Sequence, residues 1–330
     1  FVHLHLHTEF SLLDSTLRIK QLVQRVKELG MPAVAVTDQF NMFGLVKFYR
    51  AAVAAGVKPI AGADVLLSEP EDPDHTSRLV LLCQNNEGYL NLCRLLSMGY
   101  QEGQHHGIPH LRRDWISRYS SGLIALSSGR EGDIGQALLN QHPNKAQQLA
   151  RGWMKDFPGR FYFEVQRTGR EQEKRYERYA LQLAADLGLP VVASNDVRFL
   201  DKGDFSAHEA RVCIHDGRLL SDKRREVRYS EEQYLKSPEE MAELFADLPE
   251  ALENASELAK RCNLELQFGK YFLPDFPTPD GESVEEFLKK ASLEGLAKRL
   301  NKHGPAHSFT DDDYRDRLEL ELKVINDMGF

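Results

Sequence analysis

The sequence predicts an α/β fold in which parallel strands are wrapped by helices, and within that class a closed barrel. Seven short aliphatic runs, at residues 2–7, 32–38, 58–67, 78–84, 122–128, 160–166 and 190–196, alternate with helical patterns. Several of these runs are almost wholly apolar, as strands covered on both faces are. Polar groups recur at their ends: His5 and His7, Asp38, Asp64, Gln84, Ser127, Asn195 and Asp196. An open doubly wound sheet satisfies the first two observations equally well. The third favours the barrel, because β/α barrels build a site from the C-terminal ends of many separate strands. Neither GxGxxG nor GxxxxGK[ST] occurs, which weakens a dinucleotide or P-loop reading.

The first run alternates His3, His5 and His7 with Val2, Leu4 and Leu6. Strand side chains alternate faces, so the three imidazoles are expected on one face, as metal ligands or as the polar side of a half-buried strand. Leu17, Leu22, Val26 and Leu29 form a helical stripe that Gly30 ends. Residues 32–38 read as a buried strand, 42–55 as a helix closed by Gly56, and 58–67 as the next strand. Residues 69–77, rich in Pro and Asp, read as a loop before the strand that Arg78 begins. A helix over 87–100 precedes an irregular segment, 101–114, with His105, His106 and His110. A strand over 122–128, a helical run to about Lys155, a strand over 160–166, a helix over 171–187 and a strand over 190–196 complete the alternation.

Beyond Asp196 the pattern turns helical, over 205–214, from the Ser237-Pro238 cap signal, and over 249–262. Residues 272–281 hold three prolines and read as an extended linker, followed by helices over 283–300 and 314–328. The chain opens on Phe1 and closes just after a helical run, so part of a larger protein is expected.

With 330 residues, a net charge of −8 and pI near 5.9, the chain is expected to be a poor DNA binder by itself, because Lys and Arg carry phosphate binding. The clusters Arg112-Arg113 and Lys223-Arg224-Arg225 read as solvated surface. Cys83, Cys93, Cys213 and Cys262 are scattered without CxxC, which suits reduced, buried thiols and a cytoplasmic setting. No apolar run approaches the ~18 residues of a membrane span, and no charged-then-apolar export leader is visible. Trp115 and Trp153 read as packing anchors, His208 as a hydrogen-bonded core residue, and Asp311-Asp312-Asp313 as a helix cap.

His5-x-His7-x-x-x-Ser11, Thr37-Asp38 and Asn195-Asp196 resemble successive motifs of the polymerase and histidinol phosphatase (PHP) family. Gly44-Leu-Val-Lys-Phe-Tyr49, Lys58-Pro-Ile-Ala-Gly-Ala-Asp64, Ala193-Ser-Asn-Asp-Val-Arg-Phe199, Ala207-His-Glu209 and Lys270-Tyr-Phe-Leu-Pro274 resemble, more narrowly, the bacterial replicative DNA polymerase III alpha-subunit family. So do Gln233-Tyr-Leu-Lys-Ser237, Glu257-Leu-Ala-Lys-Arg-Cys-Asn263 and Val324-Ile-Asn-Asp-Met-Gly-Phe330. The resemblance implies a distorted seven-stranded (β/α)7 PHP barrel over 1–266 and a linker and helical lead-in to the polymerase palm over 267–330. It implies a bacterial, cytoplasmic replication protein. The partners implied are a proofreading exonuclease subunit, the remaining polymerase domains in cis and primer–template DNA in the full-length protein, with no membrane. The aspartates that hold the polymerase Mg ions would lie outside this chain.

Carried over by resemblance, His5, His7, Asp14, Asp38, Asp64 and Asp196 match metal-ligand positions. Four positions depart: Gln39 and Arg198 stand where His is usual, Arg78 where a His ligand is expected, and Gly129 where a Cys or another ligand occurs. Arginine cannot ligate a metal, but it can balance clustered carboxylates as a cation does. A relic site is therefore expected, with no firm cofactor or at most one Zn or Mn ion, in a mainly structural module. The rival expectation is a metal-dependent phosphoesterase, 3′–5′ exonuclease or pyrophosphatase, with metal-bound water as the nucleophile. His105, His106 and His110 are candidates for substitute ligands.

Overall fold

The structure, a computed structural model, describes residues 1–69, 71–222, 224–270 and 276–329. The chain divides into two compact units, Phe1–Leu266 and Gln267–Phe330. The strands of the first are β1 (Ala33–Val36), β2 (Lys58–Glu69), β3 (Asp72–Cys83), β4 (Gln104–His105), β5 (Ile108–Pro109), β6 (Leu123–Leu126), β7 (Phe161–Gln166) and β8 (Val191–Ser194). Its helices are α1 (Ile19–Glu28), α2 (Leu45–Ala55), α3 (Asn86–Glu102), α4 (Arg113–Arg118), α5 (Asp133–Leu139), α6 (Pro143–Asp156), α7 (Glu173–Leu187), α8 (Phe205–Asp216), α9 (Pro238–Leu244) and α10 (Pro249–Arg261). No helix among the described residues is long and apolar enough to cross a membrane.

Six strands form one sheet in the order β1-β2-β3-β6-β7-β8, and β4 pairs with β5 in a separate small hairpin. The N-terminal segment joins the sheet's two edges. On the β1 side, Ala35 N–H donates to His3 O (2.9 Å) and Thr37 N–H to Leu6 O (2.8 Å). Beyond β8, His7 N–H donates to Val197 O (2.9 Å) and Val197 N–H to His5 O (3.1 Å). The segment is thus the seventh stave of a curled barrel, although it forms no regular ladder.

Two expectations about the strands are corrected. The strands are not all parallel: β3 runs antiparallel to both β2 and β6. Nor is 69–77 a loop, since β2 and β3 extend through most of it as a hairpin, and Arg78 sits within β3 rather than at its start. So short a connection cannot make the crossover that parallel strands require. The helical run after β6 also breaks in two, where Gln141 takes φ +61° and Pro143 begins α6.

Alternating side chains build two cores. Val34 and Val36 of β1, Leu79 and Leu81 of β3, and Phe161 and Phe163 of β7 belong to the core shared with the helices. Ala33, Ala35, Ile60, Val80, Leu82, Ile124, Leu126 and Val192 point the other way, into the barrel, where Ala255, Leu258 and Cys262 from α10 and its end join them. Trp115 and Trp153 are buried in the first of these cores, and Trp153 donates to Asp133 at 2.9 Å. The cysteines are free thiols, with Cys93 partly buried and the others buried.

The second unit contains α11 (Val284–His303) and α12 (Asp311–Asp327). Each opens with a capping box, Ser283 with Glu286 and Thr310 with Asp313, so the acidic triplet lies in the first turn of α12. Of the expected linker, 272–275 lie outside the described residues.

Candidate metal centre

The inward positions change character at the C-terminal ends of the strands. Asp64 follows Ile60 on β2, Glu164 and Gln166 follow Tyr162 on β7, and Asp196 lies just beyond β8. Arg78 enters from the middle of β3, which runs antiparallel to its neighbours. These residues, with His5, His7, Asp14 and Arg198, meet in one buried cluster; Arg78 and Glu131 form its more open side.

The histidine row does not share one face. Val2 and Leu4 lie in the barrel interior, whereas Leu6 packs in the outer core. The bonds to β1 step from His3–Ala35 to Leu6–Thr37, and this slip of one residue reverses the faces. His3 is turned away and donates from Nε2 to Lys236 O at 2.9 Å; burial lowers its pKa to about 4, so it is neutral. His5 and His7 face the site, with Nε2 atoms 3.4 Å apart.

Ser11 donates to Asp38 Oδ1 (2.7 Å) and therefore accepts from His7 Nδ1–H (2.9 Å). That leaves His7 Nε2 as a lone pair, 3.3 Å from Asp64 Oδ2. Two acceptors facing one another need a cation or a proton between them. His5 supplies the proton. Burial opposes its charge, but Glu164, 2.7 Å from Nδ1, and Asp196 raise its pKa to about 10.

Three aspartates are matched by three arginines. Arg78 bonds Asp64 Oδ2 and reaches Glu131 from Nε at 3.1 Å. Arg198 donates from Nε to Asp196 Oδ1 (2.8 Å) and from Nη1 to Asp14 Oδ2 (2.7 Å). Arg170 donates from Nη1 to Asp196 Oδ2 (3.0 Å) and from Nη2 to Gln166 Oε1 (2.7 Å). Burial alone would raise these aspartates. Arg198 instead holds Asp14 near 2 and Asp196 lower still, and Arg78 holds Asp64 well below the carboxylate range. Asp38 stands apart: burial raises its pKa, and Thr8 N–H, Thr8 Oγ1 and Ser11 bind it.

Among the departing positions, Gly129 has φ +58°, and a Cβ there would come 3.2 Å from Gln166 Oε1, so Gln166 takes the space of a missing side chain. Gln39 is half-buried and donates its backbone N–H to Ser11 Oγ. Asn195 turns away and donates to Glu232 O and Tyr234 O, and buried His208 bonds Asp14 O at 2.9 Å. His105 and His106 join exposed Asp74 instead of this cluster. Sequence reasoning missed Arg170, Glu164, Glu131 and Tyr229, whose hydroxyl donates to Asp14 Oδ2. Only the position of Glu164 on an inward strand face could have pointed to it.

His5, His7 and Asp64 form a group able to hold a metal, with ligand atoms all within 4.8 Å of one another. A polynuclear centre does not fit these residues. Of its remaining carboxylates, Asp14 and Asp196 are ion-paired to arginines, Asp38 is held by Thr8 and Ser11, and Glu164 is bonded to His5. Ligation also requires neutral imidazoles, whereas His5 is held protonated.

A model of the PHP domain matches residues 3–168, and the chain belongs to the PHP domain family. Across its whole length it is 55% identical to the DNA polymerase III subunit alpha of Pseudomonas aeruginosa, 51% to that of Pseudomonas fluorescens and 47% to that of Escherichia coli. The chain spans 28–29% of the length of these relatives.

Proposed function

We propose that this chain is the N-terminal region of the catalytic subunit of a bacterial replicative DNA polymerase, and that its PHP barrel is structural, not hydrolytic. Residues 1–266 form the PHP domain and 267–330 the lead-in to the palm. The barrel supports the palm and offers a surface to the proofreading exonuclease subunit. Nucleotidyl transfer, its Mg ions and the primer–template belong to the remaining domains in cis.

One observation carries the structural reading: Arg78, Arg170 and Arg198 are seated on Asp64, Asp196 and Asp14, with the proton of His5 among them. Fixed internal cations have replaced exchangeable ones. The acidic overall charge further limits direct DNA contact, and the described arginines of both basic clusters are paired within the protein. Arg112 pairs with Asp114, Arg113 with Asp156, Arg224 with Asp222 and Arg225 with Glu209, while Lys223 lies outside the described residues.

The test compares the metal content of the wild-type chain and His7→Ala after dialysis against trace zinc and manganese. Hydrolysis of p-nitrophenyl phosphate and of a 3′-labelled primer is measured alongside. Equal metal content and no turnover are expected. Metal lost on His7→Ala, together with turnover, would replace this reading with a phosphoesterase using one Zn or Mn ion. One oxygen each of Asp14, Asp64 and Glu164 lacks a hydrogen-bond partner, which leaves acceptor capacity for that alternative.

A further inference from the structure

A second cluster of ligating side chains lies where the hairpins meet. Asp74 belongs to β3, His105 to β4, and His106 to the two-residue turn between β4 and β5. His105 Nε2 is 2.7 Å from Asp74 Oδ1, and His106 Nε2 is 3.9 Å from the same oxygen. The two imidazole rings are 4.0 Å apart, and all three ligand atoms lie within 4.8 Å of one another. Tetrahedral zinc with bonds of about 2.0–2.1 Å separates its ligand atoms by about 3.3 Å, a value the two distances to Asp74 bracket.

The turn aims the imidazoles. His106 has φ +50° and Gly107 φ +77°, as a two-residue hairpin turn with both residues left-handed requires. Behind them, His110 is 5% exposed, its ring centroid 6.3 Å from that of His105, and its Nδ1 has no hydrogen-bond partner. Its unused nitrogen makes this buried imidazole, next to His105, a reserve ligand outside the group of three. Imidazole with one carboxylate selects the zinc, nickel, cobalt and copper class over magnesium or calcium.

We propose that Asp74, His105 and His106, backed by His110, form a surface site for a divalent transition metal that pins the β2–β3 hairpin to the β4–β5 hairpin. The ion displaces the proton that His105 shares with Asp74 and draws His106 inward. Asp74 and His106 are 82% and 78% exposed by side chain, so the ion can enter from solvent. The site is separate from the arginine-filled cluster and needs none of its residues.

The test is calorimetric titration of the 330-residue chain with ZnCl2, followed by CoCl2 titration read by its visible absorption. Variants are His106→Ala, Asp74→Asn, which keeps a hydrogen-bonding partner for His105, and His7→Ala. One zinc per chain is expected, weakened by on the order of tenfold or more in His106→Ala and Asp74→Asn, since losing even an outer partner of a ligand costs that much. His7→Ala should leave it unchanged. His106 is exposed, so its removal leaves the fold intact, which circular dichroism checks. Absence of zinc binding, or binding lost with His7 but not with His106, would overturn the proposal. The second result would also overturn the structural reading of the PHP site, so the two failures are distinguishable.

Discussion

The two ends of the barrel interior are made from the same strands yet held together by different forces. One end contains Val2, Leu4, Ile60, Leu82, Ile124 and Val192 closed by α10, and its stability comes from removing apolar surface from water. The other contains Asp14, Asp64, Asp196 and Glu164 against Arg78, Arg170, Arg198 and His5. Buried charges cost desolvation free energy that good geometry only offsets, so this end is a constraint more than a source of stability. One end tolerates an omitted group as a cavity; the other cannot lose one partner without stranding a charge.

Removing Arg198 is the sharpest way to expose this difference. It is 1% exposed and bridges Asp14 and Asp196. Arg198→Ala should cost about 3–5 kcal/mol in urea unfolding, the range for breaking a buried pair. Leu82→Ala, at the apolar end, should cost about 2–5 kcal/mol. Since the sizes overlap, a second condition separates them: added Mn2+ should restore part of the loss in Arg198→Ala and none in Leu82→Ala. An Arg198→Ala chain that melts like wild type would show that the arginine does not replace metal charge.

Acid should separate the ends next. Asp14 has a native pKa near 2, against an ordinary ~3.9 when unfolded. Its ion pair stabilises the fold above the unfolded value, and that contribution is lost as pH falls from about 4 towards 2. At ~1.36 kcal/mol per unit the loss is on the order of 2 kcal/mol, and Asp64 and Asp196, also lowered, act in the same direction. Urea midpoints measured down through this window should fall steeply in wild type and Leu82→Ala and less in Arg198→Ala. Parallel slopes in all three would dissociate the acid response from this cluster.

How legible these ends were differs for the same physical reason. The apolar end follows from local pattern, since buried strands write themselves as runs of Val, Ile, Leu and Ala. Arg78 and Arg198 were visible as departures at ligand positions. Arg170 was not, because it reaches Asp196 from the loop after β7, and no local pattern encodes that meeting. His3 was misplaced because alternation assumes an unbroken strand, and the bonds to Ala35 and Thr37 slip by one residue. The β2–β3 hairpin was hidden by Pro and Asp residues that extended edges tolerate. Tertiary contacts decided each of these cases.

The smallest effect sharpens the comparison most cleanly, because it keeps the chemistry and changes only burial. Arg25 donates from both Nη atoms to Asp201, at 2.8 and 3.3 Å, much as Arg198 grips Asp196. Here, however, the side chains are 33% and 53% exposed. Arg25→Ala should therefore cost no more than ~1 kcal/mol. That difference should shrink in 1 M salt, where the screening length is about 3 Å, while the Arg198→Ala penalty persists because salt does not enter the barrel. Asp201 is left in place because it also caps the turn at Lys202–Asp204. Equal losses for Arg25→Ala and Arg198→Ala would mean that the pairing itself, not the stranded charge in a dry interior, sets the cost.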